Sequence, residues 1–166
     1  MERIAVYPGS FDPFTVGHES IVLRAMNLFD KIIIGIGFNI NKKNYFTVEQ
    51  RLEMLKELFR GNSKIEVVCY DDLTVDFCKR VGAKYMLRGL RNSSDFEYEK
   101  GIAQINQAMT PEVESVFMVT MPEHTAINSS VVREILRYDG DASKFVPKGI
   151  NFQKYIDKKS KIKNQK

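Results

Sequence analysis

Two periods of hydrophobic positions alternate along the 166-residue chain. Short apolar runs at Ile4–Tyr7, Ile32–Ile36, Ile65–Cys69, Tyr85–Leu87 and Val116–Thr120 predict strands. The Ile32–Ile36 run is continuous, which suits a strand covered on both faces. Between these runs the apolar positions follow the helical period. Ile21, Ala25, Leu28 and Phe29 mark one helical face. Thr47 with Gln50 makes a capping box for a helix that continues through Leu52, Leu55 and Phe59 to Gly61. Further helices are predicted over Leu73–Val81, stopped by Gly82, and over Asp95–Met109, stopped before Pro111. Ser129 or Ser130 caps another that runs to Tyr138 with Gly140 beyond it, and a weaker one spans Phe152–Lys158.

Five strands separated by helices predict an α/β fold: a Rossmann-like, doubly wound, five-stranded parallel sheet in the order 3-2-1-4-5, with right-handed crossovers. Ligands of such sheets bind beyond the carboxyl ends of the strands, where the strand order reverses. Here that point lies between strands one and four, so chemistry is expected after strands one, four and five. No repeat or linker interrupts the chain, which predicts one domain over residues 1–166 with a Lys-rich tail from about residue 154.

Charge changes the picture little. The net charge is +4, but residues 154–166 carry six Lys and one Asp, leaving the remainder near −1. A solvated tail, not a nucleic-acid surface, supplies the basic balance. The longest apolar run, Ile32–Phe38, is too short to cross a membrane, and the N-terminus enters a strand without a leader's apolar stretch, so a soluble, cytoplasmic protein is expected. Cys69 and Cys78 form no C-x-x-C and have no His near them, which argues for reduced thiols and against zinc.

The candidate chemistry begins with YPGSFDPFTVGH, residues 7–18. Pro8, Gly9 and Pro13 force a turn after strand one and deliver Gly17 and His18 to a helix start. Free N–H groups and the helix dipole attract phosphate there, and His18 and the Ser10 hydroxyl add donors. The Walker pattern is missing, so this is not the usual P-loop. After strand four comes R-G-L-R, Arg88 to Arg91, in which Gly89 permits close approach of a ligand and the two Arg address different phosphates or form solvated ion pairs. After strand five, HTAINSSVVR places Ser129 and Ser130 at a helix start, as caps or as phosphate donors. After strand two, NINKKNYF holds a Lys pair, by itself an ordinary surface feature.

T-V-G-H resembles the T/H-x-G-H motif of the nucleotidyltransferases, and YPGSFDP with T-x-G-H, R-G-L-R, DFEYE and I-N-S-S together resemble phosphopantetheine adenylyltransferase. The resemblance runs from Tyr7 to about Pro147 and implies transfer of the adenylyl group of ATP to phosphopantetheine, giving dephospho-CoA and pyrophosphate. It implies His18 as the catalytic residue, with Ser10, Lys42, Thr74 and Arg88 at the acceptor. It implies Ser10, Phe11, His18, Gly89, Leu90, Arg91, Glu99 and the run His124, Thr125, Ala126, Ile127, Asn128, Ser129 and Ser130 at ATP. Leu73, Thr74 and Asn106 fall where the family holds the pantetheine arm. Asn128 stands where the family has Ser, His124 where it often has Trp or Tyr, and Asn44 where it commonly has Pro. The resemblance further implies Mg²⁺ with ATP, without naming metal ligands, and a homohexamer. Other superfamily activities, such as nicotinamide-mononucleotide adenylyltransferase or a cytidylyltransferase, and a non-catalytic nucleotide-binding module are the rival readings. DFEYE and K-K-x-x-F favour the pantetheine branch over the first, and retention of His18, Lys42 and Arg88 disfavours the second.

Overall fold

The computed structural model describes residues 1–38 and 43–156. In chain order the regular elements are β1 (Ile4–Gly9), α1 (Val16–Ala25), β2 (Lys31–Gly37), α2 (Val48–Leu58), β3 (Ile65–Tyr70), α3 (Thr74–Arg80), β4 (Tyr85–Leu90), α4 (Ser93–Met109), β5 (Glu114–Val119) and α5 (Ser129–Arg137). The strands form one sheet in the order β3-β2-β1-β4-β5. Every neighbouring pair is parallel, with Val6 beside Ile33 of β2 and Met86 of β4. The predicted doubly wound order is therefore the observed one, and it reverses between β1 and β4.

Period-two alternation sorts the core into two layers. Ala5, Tyr7, Ile32, Ile34, Ile36 and Leu87 face α1, α2 and α5 through Ile21, Val22, Met54, Leu55, Val132 and Leu136. Val6, Ile33 and Met86 face the other way, onto Val75, Phe77 and Cys78 of α3. The β2 run is apolar throughout because both of its faces are covered. The capping box predicted at Thr47 and Gln50 opens α2, and Gly61 and Gly82, at φ of 80° and 70°, end the turns after α2 and α3 in a conformation that other residues adopt at a cost.

Several boundaries differ from the sequence expectation. β4 continues through Arg88, Gly89 and Leu90, so most of R-G-L-R is strand and not a following loop. β5 runs over Glu114–Val119. α4 starts at Ser93 because the Asn92 side chain accepts from the Asp95 N–H. α5 is capped by Asn128, whose Oδ1 accepts from the Val131 N–H at 2.9 Å, and not by either serine. Near the C-terminus, residues 153–156 are helical, and the expected continuation to Lys158 lies outside the described residues. Phe152 and Tyr155 are buried beside Phe46, so the chain still belongs to the core at residue 155.

Candidate active site

Beyond the carboxyl ends of β1 and β4 lies a cavity of about 390 Å³. Its wall comes from the first turn (Tyr7–Phe11, Thr15), α1 (Gly17, His18, Ile21), β4 and its end (Arg88, Gly89, Arg91), α4 (Asp95, Glu99) and the region after β5 (Thr120, His124, Ile127–Ser130, Arg133). The N-termini of α1 and α5 both border it. Their unpaired N–H groups and positive dipole ends make this end of the sheet a receptor for anions.

Local sequence explains how α1 presents His18. Thr15 is the N-cap, and its Oγ1 accepts from the His18 N–H, while Nδ1 of His18 accepts from the Thr15 N–H at 3.0 Å. This is a capping box with histidine in the place usually held by Glu or Gln. Because Nδ1 is an acceptor, the hydrogen of the neutral ring sits on Nε2. Burial, aided by the positive charges of Arg91 and Arg88, lowers the His18 pKa to about 4. The ring stands edge-on to Phe11, with centroids 5.2 Å apart, and lies close to Phe14 and Tyr7. His18 is thus a rigid, uncharged hydrogen-bond donor at neutral pH.

The first turn is shaped by its carbonyls, which accept from side chains distant in sequence. Pro8 O accepts from Arg88 at 2.9 Å, Asp12 O from Arg133 at 2.7 Å and Pro13 O from the Ser129 hydroxyl at 2.8 Å. Gly9 is required by packing: a Cβ there would lie 2.8 Å from Cζ of the Phe11 ring. The buried Asp12 carboxylate accepts from the N–H groups of Tyr45 and Phe46 at 2.7 and 2.8 Å, which ties the segment after Lys42 to this turn. Lys42 itself lies outside the described residues.

Charges in the wall are partly paired. Arg88 donates to both carboxylate oxygens of Glu99, with its Nε 2.8 Å from Oε2. Glu99 is the one buried residue of α4. Arg91 grips Asp95 through Nε, Nη2 and its backbone N–H. Arg133 bonds Asp12 O and, at 3.0 Å, the Ser130 hydroxyl, and has no carboxylate partner among the described residues. Burial pushes the Tyr7 phenol up, so it stays protonated. His124 brings an Nδ1 that is buried without a partner among the described residues. No group of three His, Cys, Asp or Glu able to hold a metal ion occurs among the described residues.

The structure brings together Ser10, Phe11, His18, Arg88, Gly89, Arg91, Glu99, His124, Ile127, Asn128, Ser129 and Ser130 of the expected site. It leaves Leu90, Thr125, Ala126 and Thr74 outside the wall. The Leu90 carbonyl accepts from Thr120 N–H, the Thr125 hydroxyl donates to Pro122 O, and Thr74 shares a hydrogen bond with the Tyr70 hydroxyl at 3.0 Å. Asn106 lies near Met86 Sδ, at 3.7 Å, and Leu73 is exposed. The Ser129 hydroxyl has one hydrogen and gives it to Pro13 O, so in this arrangement the residue offers an anion its backbone N–H. Tyr7, Asp95, Thr120 and Arg133 are wall residues to which the sequence reading assigned no role. Arg133 was visible as the last residue of the I-N-S-S-x-x-R pattern, one helical turn from Ser129.

Comparison with known proteins points the same way. The cytidylyltransferase-like family matches residues 6–135. The phosphopantetheine adenylyltransferase of Bacteroides thetaiotaomicron is 48% identical over 148 residues, covering 89% of this chain and 97% of that protein. That of Cytophaga hutchinsonii is 47% identical over 147 residues, covering 89% and 98%, and that of Lachnoclostridium phytofermentans 44% over 161 residues, covering 95% and 99%. Among solved structures, a bifunctional NMN adenylyltransferase/ADP ribose pyrophosphatase from Francisella tularensis aligns with a TM-score of 0.70 at 18% identity. The alignment covers 95% of this chain and about half of that one, 49%. A second structure with this description, complexed with AMP and a manganese ion, aligns with a TM-score of 0.69. That likeness supports the fold, and the near full-length identity to the curated relatives shows that the chain belongs to the phosphopantetheine adenylyltransferase family within the cytidylyltransferase-like group.

Proposed function

We propose that this chain transfers the adenylyl group of ATP to phosphopantetheine, forming dephospho-CoA and pyrophosphate in coenzyme A biosynthesis. The observation that carries this reading is a neutral imidazole locked by a capping box at an anion-attracting helix N-terminus, in a chain 43–48% identical to enzymes of that name.

An oxygen of the acceptor phosphate attacks the α-phosphorus of ATP, the bond to the β-phosphate breaks and pyrophosphate departs. The attacking group is already an anion, so the step needs no strong general base. The rate comes from alignment and from stabilising charge that develops on phosphate oxygens. His18 donates Nε2–H to the α-phosphate region. Because the ring is neutral, it adds a directed donor without titrating near pH 7. Arg88, held by Glu99, binds the acceptor phosphate, and the family resemblance gives Lys42 the same role. Arg91 and the N-terminus of α5, through the Ser129 and Ser130 N–H groups, hold the β- and γ-phosphates. The wall's two carboxylates, Asp95 and Glu99, are committed to arginines, a donor set that does not suit a protein-held cation. Mg²⁺ enters as part of the ATP substrate and offsets phosphate charge there.

α4 leaves Tyr98, Ile105 and Met109 at least half exposed, an apolar face suited to a second copy of the chain, and we expect a homohexamer on the family's pattern. No described helix is long and apolar enough to cross a membrane, and we place the enzyme in the cytoplasm with its ATP.

A pyrophosphate-release assay with ATP and a panel of acceptors tests the reading. Phosphopantetheine is expected to be the preferred acceptor. Activity confined to nicotinamide mononucleotide or to phosphocholine-like acceptors overturns it.

A further inference from the structure

Arg51 lies on α2, outside the cavity wall, and is only 1% exposed. Its Nε donates to Thr47 O at 3.3 Å and its Nη1 to Ser10 O at 2.5 Å. Asp12 supplies part of the compensating charge, but among the described residues no carboxylate comes within ion-pair distance. A buried guanidinium whose main partners are carbonyls is an expensive way to fill space, since apolar side chains of similar volume generally do as well or better. Its distinctive contact is therefore informative. The Ser10 carbonyl belongs to the peptide whose N–H is that of Phe11. That peptide is trans and planar, so an oxygen drawn toward Arg51 turns the N–H to the opposite side. Ser10 and Phe11 line the cavity and Arg51 does not. Phe11 sits at φ +46°, in the left-handed region that is strained for a residue with a side chain. Such a conformation persists only where its surroundings impose it. On one side the Phe11 ring packs over Gly9 and against Tyr7, Phe14 and His18. On the other, Arg51 holds the preceding carbonyl. Among the described residues the Phe11 N–H has no hydrogen-bond partner.

We infer that Arg51 is a positioning residue for the nucleotide: by anchoring the Ser10 carbonyl behind the wall, it holds Phe11 left-handed and aims the Phe11 N–H at the phosphates of ATP. This rests on the reading of the cavity as the ATP site. Arg51 touches neither substrate, and its effect is on nucleotide binding and not on the acceptor.

The test uses the full-length protein, with Arg51→Met to remove the donors and Arg51→Lys to restore one. Affinities for a non-hydrolysable ATP analogue and for phosphopantetheine are measured separately by calorimetry, and the Phe11 amide resonance is followed by ¹⁵N NMR. Expected are a loss of tenfold or more in nucleotide affinity for Arg51→Met, partial recovery in Arg51→Lys, and acceptor affinity within twofold of wild type in both. The Phe11 amide should shift on nucleotide addition in wild type and much less in Arg51→Met. Folded variants that bind the analogue like wild type, or that lose both ligands equally, overturn the positioning role. So does collapse of the fold in both variants, which makes Arg51 a stability residue. Wild-type protein that binds the acceptor but no nucleotide overturns the ATP-site reading itself.

Discussion

His18 carries two separable jobs, and removing its ring tests both. His18→Ala leaves the Thr15 N–H, in a residue with no exposed surface, without the Nδ1 acceptor 3.0 Å away. Losing a cap costs about 1 kcal/mol, and an unsatisfied buried N–H about 1–3 kcal/mol. For a chain of this size each kcal/mol lowers Tm by about 2–4 °C, so the loss of this one contact, about 1–3 kcal/mol, means a drop of roughly 2–12 °C. The second loss is the Nε2–H donor. A donor that acts mainly as charge develops contributes about 3–4 kcal/mol to the transition state, or roughly a hundred- to thousand-fold in kcat, while affinity for ATP stays near wild type. His18→Gln separates the two, because Gln is a normal partner at this position of a capping box. It should recover most of the Tm and far less of the rate. The assays are thermal unfolding, calorimetry with an ATP analogue and pyrophosphate release at saturating substrates. If His18→Ala folds, binds nucleotide and turns over within a few-fold of wild type, His18 is a helix cap and nothing more, and the proposed catalysis is wrong.

Acid should expose the same residue. Unfolded His18 takes up a proton below about pH 6.5 and the folded residue only below about 4, so its contribution is fully present above 6.5 and lost as pH falls toward 4. The difference is up to about 3 kcal/mol, and a Tm–pH curve for His18→Gln should be flatter than wild type over this window; parallel curves refute the depressed pKa. Glu99→Gln removes the charge that Arg88 grips, which should cost about 1–3 kcal/mol of stability and weaken phosphopantetheine more than ATP in separate calorimetric titrations. Equal weakening would show that Glu99 does not act through Arg88. Gly9→Ala should displace the Phe11 ring, costing about 1–3 kcal/mol by overpacking and lowering turnover; a variant with unchanged Tm and rate contradicts the packing of the turn. Truncation after Ile156 should preserve activity and Tm, whereas truncation before Phe152 removes two buried aromatics, each contributing about 1.5–3 kcal/mol, and a shift in Tm distinguishes the two.

Much of this protein can be read without coordinates, and for physical reasons. A strand covered on both faces must be apolar at every position, so Ile32–Ile36 betrays its central place in the sheet. A helix that needs a cap carries it three residues from its partner, so Thr47 and Gln50 mark the start of α2. Strands alternating with helices restrict the sheet to a parallel order with a reversal, and the motifs at that reversal locate the cavity. These are local or topological constraints, written in neighbouring residues.

What the sequence could not determine is which donors and acceptors are already taken. Asn128, Ser129 and Ser130 are all competent caps by spacing. Asn128 caps because its side chain meets the Val131 N–H, while the Ser129 hydroxyl is drawn to Pro13 O, 116 residues away. Arg88 and Arg91 look equivalent in R-G-L-R. The fold gives one a buried carboxylate from the middle of α4 and the other a half-buried one in its first turn. Arg51 reads as one more charge on an amphipathic helix, and only the packing of α2 against the first turn makes it a buried anchor for Ser10 O. A hydrogen bond between residues far apart in sequence is a competition among all donors within about 3 Å, and those distances exist only once the sheet has brought the ends of β1, β4 and β5 together.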